Sequence, residues 1–348
     1  MSITVRRLDD TESTDWNDHV SQATGTNPFH QWEGLETVAD FSGWTLHPLV
    51  GYNGDQPIAV FPLYERSTGR QTLVRSPPGM LESFPLGPAF LNLGQTKQRK
   101  AERYRTQFVD AVEEWLDDHL QPSYVHVRAS PAVSDVRPFH WNGYESTPSY
   151  TYVVDLTPDP DDLLASFSRD ARTNVRDAEE EGAEVREGGV DEVRKIIRQV
   201  ERRHHEQDEP YAMSVPFVAD CFERLPEGQV RPYVVEQDGE QVTGMVTLEF
   251  GDTVYRWQGG VKYGGNVPAT DLLDWHIMQA ARERGAERYD LVGANMRRLC
   301  GYKAKFSPDP VVYYNLKRHD RLHKLATDAK SLADGVLGGV RELRQQVK

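Results

Sequence analysis

Cysteine is scarce. The 348-residue chain has two, Cys221 and Cys300, far apart in otherwise ordinary stretches. A disulfide framework is therefore unsupported, and a reducing, cytoplasmic setting is the expectation. No run of about 18 apolar residues occurs, so no spanning helix is expected. The N-terminal MSITVRRLDDTESTDWNDHV contains no apolar stretch of the signal-peptide kind. Positive charge is the minority sign, with 40 Lys and Arg against 54 Asp and Glu and a formal net charge of −14. Such a field repels nucleic acid and anionic lipid unless a local basic patch intervenes. Arg outnumbers Lys, a composition that suits adaptation to high salt; the plainer alternative is a solvated acidic face that keeps the chain soluble. Several signatures are also missing: GxSxG, GxxxxGK[ST], a strand-associated GxGxxG and HExxH. Hydrolase-triad, nucleotidase, nicotinamide and metalloprotease chemistry are left without support. His204 and His205 are adjacent, about 100° apart on a helix, with no further ligands nearby, so no metal is expected.

What is present is core-forming material. Hydrophobic residues make up 38% of the chain, with 7 Trp, 15 Tyr and 12 Phe, enough for two domains. Short helices are expected at 16–20 and 32–38. Strands 44–52 and 57–64 should join through the Asn53-Gly54-Asp55 turn. The Pro- and Gly-rich SPPGMLESFPLGPAF reads as a shaped loop. Tyr104, Phe108, Val112 and Leu116 recur every four residues and predict a helix over 99–119. Strands follow at 124–128 and 149–156, and Pro158 and Pro160 among aspartates mark a boundary. Beyond it the pattern predicts helices at 163–181, 190–204 and 216–224, then strands at 231–237, 241–250 and 253–258. A helix at 269–284 and strands at 288–292 and 311–316 complete the set. The order is similar in the two halves and reads as a duplicated module.

Three features suggest chemistry. In GGVKYGGNVP, Gly259, Gly260, Gly264 and Gly265 surround Lys262, Tyr263 and Asn266 just before a helix. Free backbone amides at that position can hold a phosphate or pyrophosphate, and the alternative is a flexible loop. NMRRLCGYKAKFS carries Arg297, Arg298, Lys303 and Lys305 without an acid and follows a strand whose end bears Asp290, where open α/β sheets bind ligands. A solvated charged loop is the alternative, and the interleaved Tyr302 and Phe306 favour a packed, positioned basic loop. In SFSRDARTNVRDAEEEG, Arg169, Arg172 and Arg176 share a helix face in the early turns, against the macrodipole. Either they serve a ligand or they pair with acids elsewhere.

These segments resemble the FemAB-like branch of the GNAT acyltransferase superfamily, including proteins with a BioF2-like acetyltransferase domain. SRDARTNVRDAEEEGAEV, GMVTLEF with VYRWQGG, PATDLLDWHIMQAARERGAERYDLVGA and GYKAKFS carry the likeness over 150–316. PFHQWEGLETV and PIAVFPLYERS carry it more weakly in the first half. Ser307 stands where the family usually has Gly, and the second half lacks the long helical arm of the peptidoglycan-bridge transferases.

The resemblance implies an α/β fold with mixed sheets and tandem GNAT-like modules at 1–156 and 157–318, and the apolar spacing beyond them adds an amphipathic helix at 319–348. It implies N-acyl transfer from an acyl-CoA donor, without a metal, to an amine of a small or lipid-linked acceptor. It also places Lys303 on substrate phosphate or developing charge, with Arg172 and Arg176 lining the same groove. Lys305, Arg297 and Arg298 join them as anion-binding residues. On the residues themselves, the proton acceptor is Asp290, His204 or Tyr263, and an oxyanion would meet an amide near Gly259 and Gly260. A charged-tRNA-dependent aminoacyl transferase and a non-catalytic binding protein are the alternatives. Residues 317–348 carry eight basic against four acidic side chains with apolar residues at helical spacing. They read as a helix packed on the domains or one touching an anionic membrane.

Overall fold

The structure is a computed structural model and describes residues 2–69, 71–261 and 268–319. The first half contributes β1 (Ile3–Arg7), α1 (Ser13–Gln22), α2 (Trp32–Ser42), β2 (Thr45–Asn53), β3 (Gln56–Thr68) and β4 (Gln71–Ser76). It continues with α3 (Gln98–His119), β5 (Tyr124–Ala129), α4 (Arg137–Trp141) and β6 (Glu145–Asp155). The second half contributes α5 (Pro160–Ser166), α6 (Arg169–Glu180), β7 (Glu184–Glu187), α7 (Val190–Glu206), α8 (Val215–Arg224), β8 (Val230–Gln237) and β9 (Glu240–Phe250). It ends with β10 (Thr253–Gly259), α9 (Ala269–Glu283), β11 (Arg288–Asp290), α10 (Arg297–Lys303) and β12 (Asp309–His319).

Local sequence chemistry explains most of these elements. Asn53 pairs with Gln56 across the expected hairpin, and Gly54 takes the positive φ of 64° that its turn requires. The stripe of α3 buries Tyr104, Phe108, Val112 and Leu116 against the sheet. Three differences from expectation have physical causes. The single helix expected over 163–181 is two: Phe167 is extended and buried, and the Ser168 hydroxyl caps α6 by accepting from the Ala171 amide at 3.3 Å. The basic stretch expected as a loop is helical over 297–303. The strand expected over 288–292 ends at Asp290, because Val292 takes a left-handed φ of 50°.

The strands form one continuous sheet in the order β1-β2-β3-β4-β5-β12-β6-β11-β10-β9-β8-β7. In each half an antiparallel meander is followed by a helix and a strand parallel to the last meander strand: β4, α3, β5 and β10, α9, β11. The next strand in sequence then crosses over. β6 pairs with β11 and β12 pairs with β5, and β6 and β12 pair with each other from Asp309↔Val153 to Lys317↔Glu145. The largest apolar cluster joins Trp16, Phe29 and Phe84 of the first half to Ile196, Phe217 and Trp257 of the second, with the Phe29 and Trp257 rings 5.5 Å apart. The fold is thus a mixed α/β arrangement of a central sheet and flanking helices, with a core shared across the chain.

Ser307, where the resembling family has Gly, lies at φ 54°, ψ 44° just after the turn that follows α10. A side chain in that conformation costs roughly 1–2 kcal/mol, partly offset by the extra chain entropy that Gly loses on folding. Ser307→Gly should therefore stabilise the fold by about 0.5–1 kcal/mol, measured by thermal or denaturant unfolding.

Candidate active site

Alternate residues of a strand face opposite sides of a sheet. On one side of the central strands this rule collects Thr253 and Tyr255 (β10), Arg288 and Asp290 (β11), Thr151 and Val153 (β6), and Val311 and Tyr313 (β12). They form the floor of a cleft of about 760 Å³. First-half segments around Gly25 and Asn27, Ser83 to Pro85, and Ser130 to Ala132 form its walls. The opposite face, including Val154, Val254 and Tyr289, is buried with residues of α6 and α9.

At the end of β11 the chain makes a strained turn into this cleft. A β-branched residue is rarely left-handed, yet Val292 is, and four hydrogen bonds hold it there. Asp290 Oδ1 accepts from the Val292 amide at 2.8 Å, and Thr151 Oγ1 accepts from the Gly293 amide at 3.0 Å. From behind, Lys303 Nζ donates to the carbonyls of Val292 (2.8 Å) and Gly293 (2.6 Å). The Thr151 hydroxyl also donates to Asp290. Burial pushes the Asp290 carboxyl above its ordinary 3.8, while Thr151, the Val292 amide and Lys303 oppose the rise. Burial, then the Arg256 charge, pushes Lys303 down to about 8. The product is a fixed carboxylate on the cleft floor with more proton affinity than one in water.

The Lys303 shift carries a stability signature. Between about pH 8 and its ordinary 10.5 the unfolded chain holds more protons at this group than the folded chain. Its contribution to folding stability therefore rises with pH across that window. Lys303→Met should remove the rise, as read from denaturant midpoints between pH 7 and 10.5.

Behind the turn lies a buried polar cluster. Arg256 pairs with Asp274 at 2.8 Å, and Asp274 also accepts from the hydroxyls of Tyr289 and Tyr302, each at 2.7 Å. One helical turn away, Asp271 accepts from Asn174 (2.5 Å) and Lys305 (3.1 Å). The signal was in the sequence: Asp271 and Asp274 are carboxylates at i and i+3 in the otherwise buried stretch ATDLLDW.

The structure places the sequence-derived candidates as follows. Asp290 is on the cleft floor, and Lys303 is buried behind the turn with its ammonium on backbone carbonyls. Arg172 caps the end of α5, donating to the carbonyls of Ala165 (2.6 Å) and Phe167 (3.2 Å). Arg176 is exposed on α6 beside Asp177 and Glu180. These two arginines and Lys303 are therefore not gathered into one groove, because each is engaged by its own neighbourhood. Lys305 pairs with Asp271 and Asp170. Arg297 and Arg298 are exposed at the start of α10, Arg298 lying 3.7 Å from Glu209. His204, at the end of α7, packs its ring 4.9 Å from that of Tyr211 and lies 3.8 Å from Glu209. Gly259 is required by packing, since a Cβ there would sit 2.3 Å from the Gly244 carbonyl oxygen. The Gly260 amide is already bonded to that oxygen at 2.8 Å, so it is not free for an oxyanion. Lys262, Tyr263, Gly264, Gly265, Asn266 and the 320–348 segment lie outside the described residues. Sequence reasoning missed Thr151, Val292 and Ser130, whose hydroxyl is buried in the cleft wall without a partner. Among the described residues no cluster of His, Cys, Asp and Glu fits a metal ion, and no helix is long and apolar enough to cross a membrane.

Residues 165–304 match the family described as acetyltransferase (GNAT) domain. Among solved structures, FemX superposes with a TM-score of 0.69 at 12% identity, covering 89% of this chain and 96% of that one. The C-terminal domain of a putative lysylphosphatidylglycerol synthetase from Agrobacterium fabrum gives 0.55 at 12% identity, covering 92% and 96%. The L-PGS structure from Bacillus licheniformis gives 0.55 at 12%, covering 91% and 94%. At these identities the likeness is one of fold. No curated protein sequence matches the chain.

Proposed function

Because the chain is an acyltransferase of the GNAT superfamily with a FemAB-like fold, we propose that it joins an acyl group to an amine in the cleft above Asp290. The observation that carries this reading is the strained Val292 turn, pinned by Asp290, Thr151 and Lys303 at the floor of the cleft. Strain of this kind persists where the surroundings over-determine it, and it clusters at reacting sites.

The acceptor amine attacks the carbonyl carbon of an acyl thioester. The new C–N bond forms, the C–S bond breaks, and the products are an amide and a free thiol. Asp290 takes the proton that the amine loses and passes it to the departing sulfur. Thr151 and the Val292 amide keep the carboxylate aimed into the cleft. The exposed Arg297 and Arg298, at the carboxyl end of the β10–β11 pair, receive the phosphates of a coenzyme A donor. The acceptor is a small or lipid-linked amine. The two halves are read as tandem GNAT-like modules that exchange their last strands, β6 and β12.

Calorimetric titration with acetyl-CoA and longer acyl-CoA esters, at low and high salt, tests the donor. Binding that weakens in Arg297→Ala/Arg298→Ala is the expected result. No binding of any ester, together with binding of aminoacyl-tRNA, would move the donor assignment to the latter.

A further inference from the structure

Beyond Tyr313, on the same face of the central strands, lies Arg128. The Arg128 guanidinium lies over the Tyr313 ring, 5.8 Å from its centre. Its Nε donates to Asn315 Oδ1 at 2.9 Å, and Asn315 is itself fixed by donating to Ser149 Oγ at 2.6 Å. His126 Nε2 lies 3.4 Å from the same Asn315 oxygen. Burial, together with the nearby charges of Lys317, Arg128 and Arg75, pushes this histidine down to about 4. Arg75 has Glu82 as a partner at 3.3 Å, whereas Arg128 forms no ion pair among the described residues. In a chain of net charge −14, a guanidinium that is positioned by side chains and left without a carboxylate is out of keeping with its surroundings. Its terminal nitrogens match a planar oxyanion in geometry.

We propose that Arg128 binds the anionic end of the acceptor, so that the acceptor is an extended molecule with an amine at one end and a carboxylate or phosphate at the other. This rests on the acyl-transfer reading of the cleft. The strand pairings fix the span. Asp290 is opposite Val153, Val153 is opposite Asp309, and Arg128 is opposite Asn315. Three strand spacings across and six residues along give roughly 25 Å between the two Cα positions. The side chains shorten this to a gap of about 20 Å, the length of about six extended residues.

Three synthetic acceptors test it: hexaglycine, hexaglycinamide, and the same peptide ending in aminomethylphosphonate. Each is assayed for acyl transfer from acetyl-CoA and, separately, for binding by calorimetry. The wild-type protein should favour the anionic peptides over the amide by about ten- to hundred-fold in kcat/KM and affinity, and the better of the two identifies the oxyanion. Arg128→Gln should bring these ratios close to one, and Arg128→Lys should restore part of the preference. Equal affinity and equal kcat/KM for all three peptides in the wild type would overturn the assignment, as would a preference that survives Arg128→Gln in a protein of unchanged melting temperature. An intact binding preference without turnover of any peptide would count against acyl transfer in the cleft and leave the anion site standing.

Discussion

Asp290→Asn should lower kcat/KM for acyl transfer by about 10²- to 10⁴-fold, the usual worth of a positioned general base, while leaving the fold as stable as before or more so. Asn keeps an oxygen that can accept from the Val292 amide and Thr151, so the turn retains its hydrogen bonds. What is lost is a partly buried carboxylate and its proton affinity. The sign of the pH dependence follows from the raised pKa. Activity of the wild type should fall as pH drops through a value above the ordinary 3.8 of an aspartate, because the protonated acid cannot take the amine's proton. Thr151→Val removes a hydrogen bond that holds the pKa down, so the acidic limb should move to still higher pH. Steady-state rates over pH 4 to 9, with melting temperatures as a folding control, measure both. An acid limb unmoved by Thr151→Val, or an Asp290→Asn enzyme within about threefold of wild type, would remove Asp290 from the chemistry.

The second large effect concerns stability. Asp274 is fully buried, and its carboxylate satisfies Arg256, Tyr289 and Tyr302 at once. Asp274→Ala leaves a buried guanidinium without its counter-charge and two buried hydroxyls without their acceptor. Breaking a buried pair from one side costs about 3–5 kcal/mol, so a loss of that size is expected in denaturant unfolding. Replacing both charges with apolar side chains, as in Arg256→Met with Asp274→Leu, should cost less, since no guanidinium is stranded and only the Tyr289 and Tyr302 hydroxyls lose their acceptor. A loss below about 1 kcal/mol for Asp274→Ala would mean that water or chain movement compensates Arg256.

Much of the architecture was legible because it is written locally. The Asn53-Gly54-Asp55 turn, the four-residue spacing of Tyr104, Phe108, Val112 and Leu116, and the alternation of strands with helices in the second half all correspond to observed elements. Local reasoning failed where a tertiary contact decides. Val292 reads as a strand residue, and only Asp290, Thr151 and Lys303, brought together by the fold, hold it in a left-handed turn. The crossing of β6 and β12 between halves follows from long-range pairing, and the cleft floor depends on that pairing.

The candidate site was legible in part. Asp290 was picked out by its place at a strand end and does lie on the cleft floor. The basic residues were noticed for their charge, but charge alone does not say where a side chain points. Arg172 turned to the carbonyls of Ala165 and Phe167, Arg176 to Asp177 and Glu180, and Lys305 to Asp170 and Asp271. Arg128, by contrast, sits in a strand with nothing in its neighbours to mark it, and stands out only once the sheet register and its lack of a carboxylate are known.

The most direct measurement of the central claim is the rate of thiol release from acetyl-CoA in the presence of an amine acceptor, compared between the wild type and Val311→Trp. Val311 is on the cleft floor opposite Thr151, so the larger ring projects into the cavity that Asp290 also lines. Loss of nearly all amine-dependent release, at an unchanged melting temperature, is the expected result. Release at the wild-type rate from the filled protein would show that the chemistry takes place elsewhere.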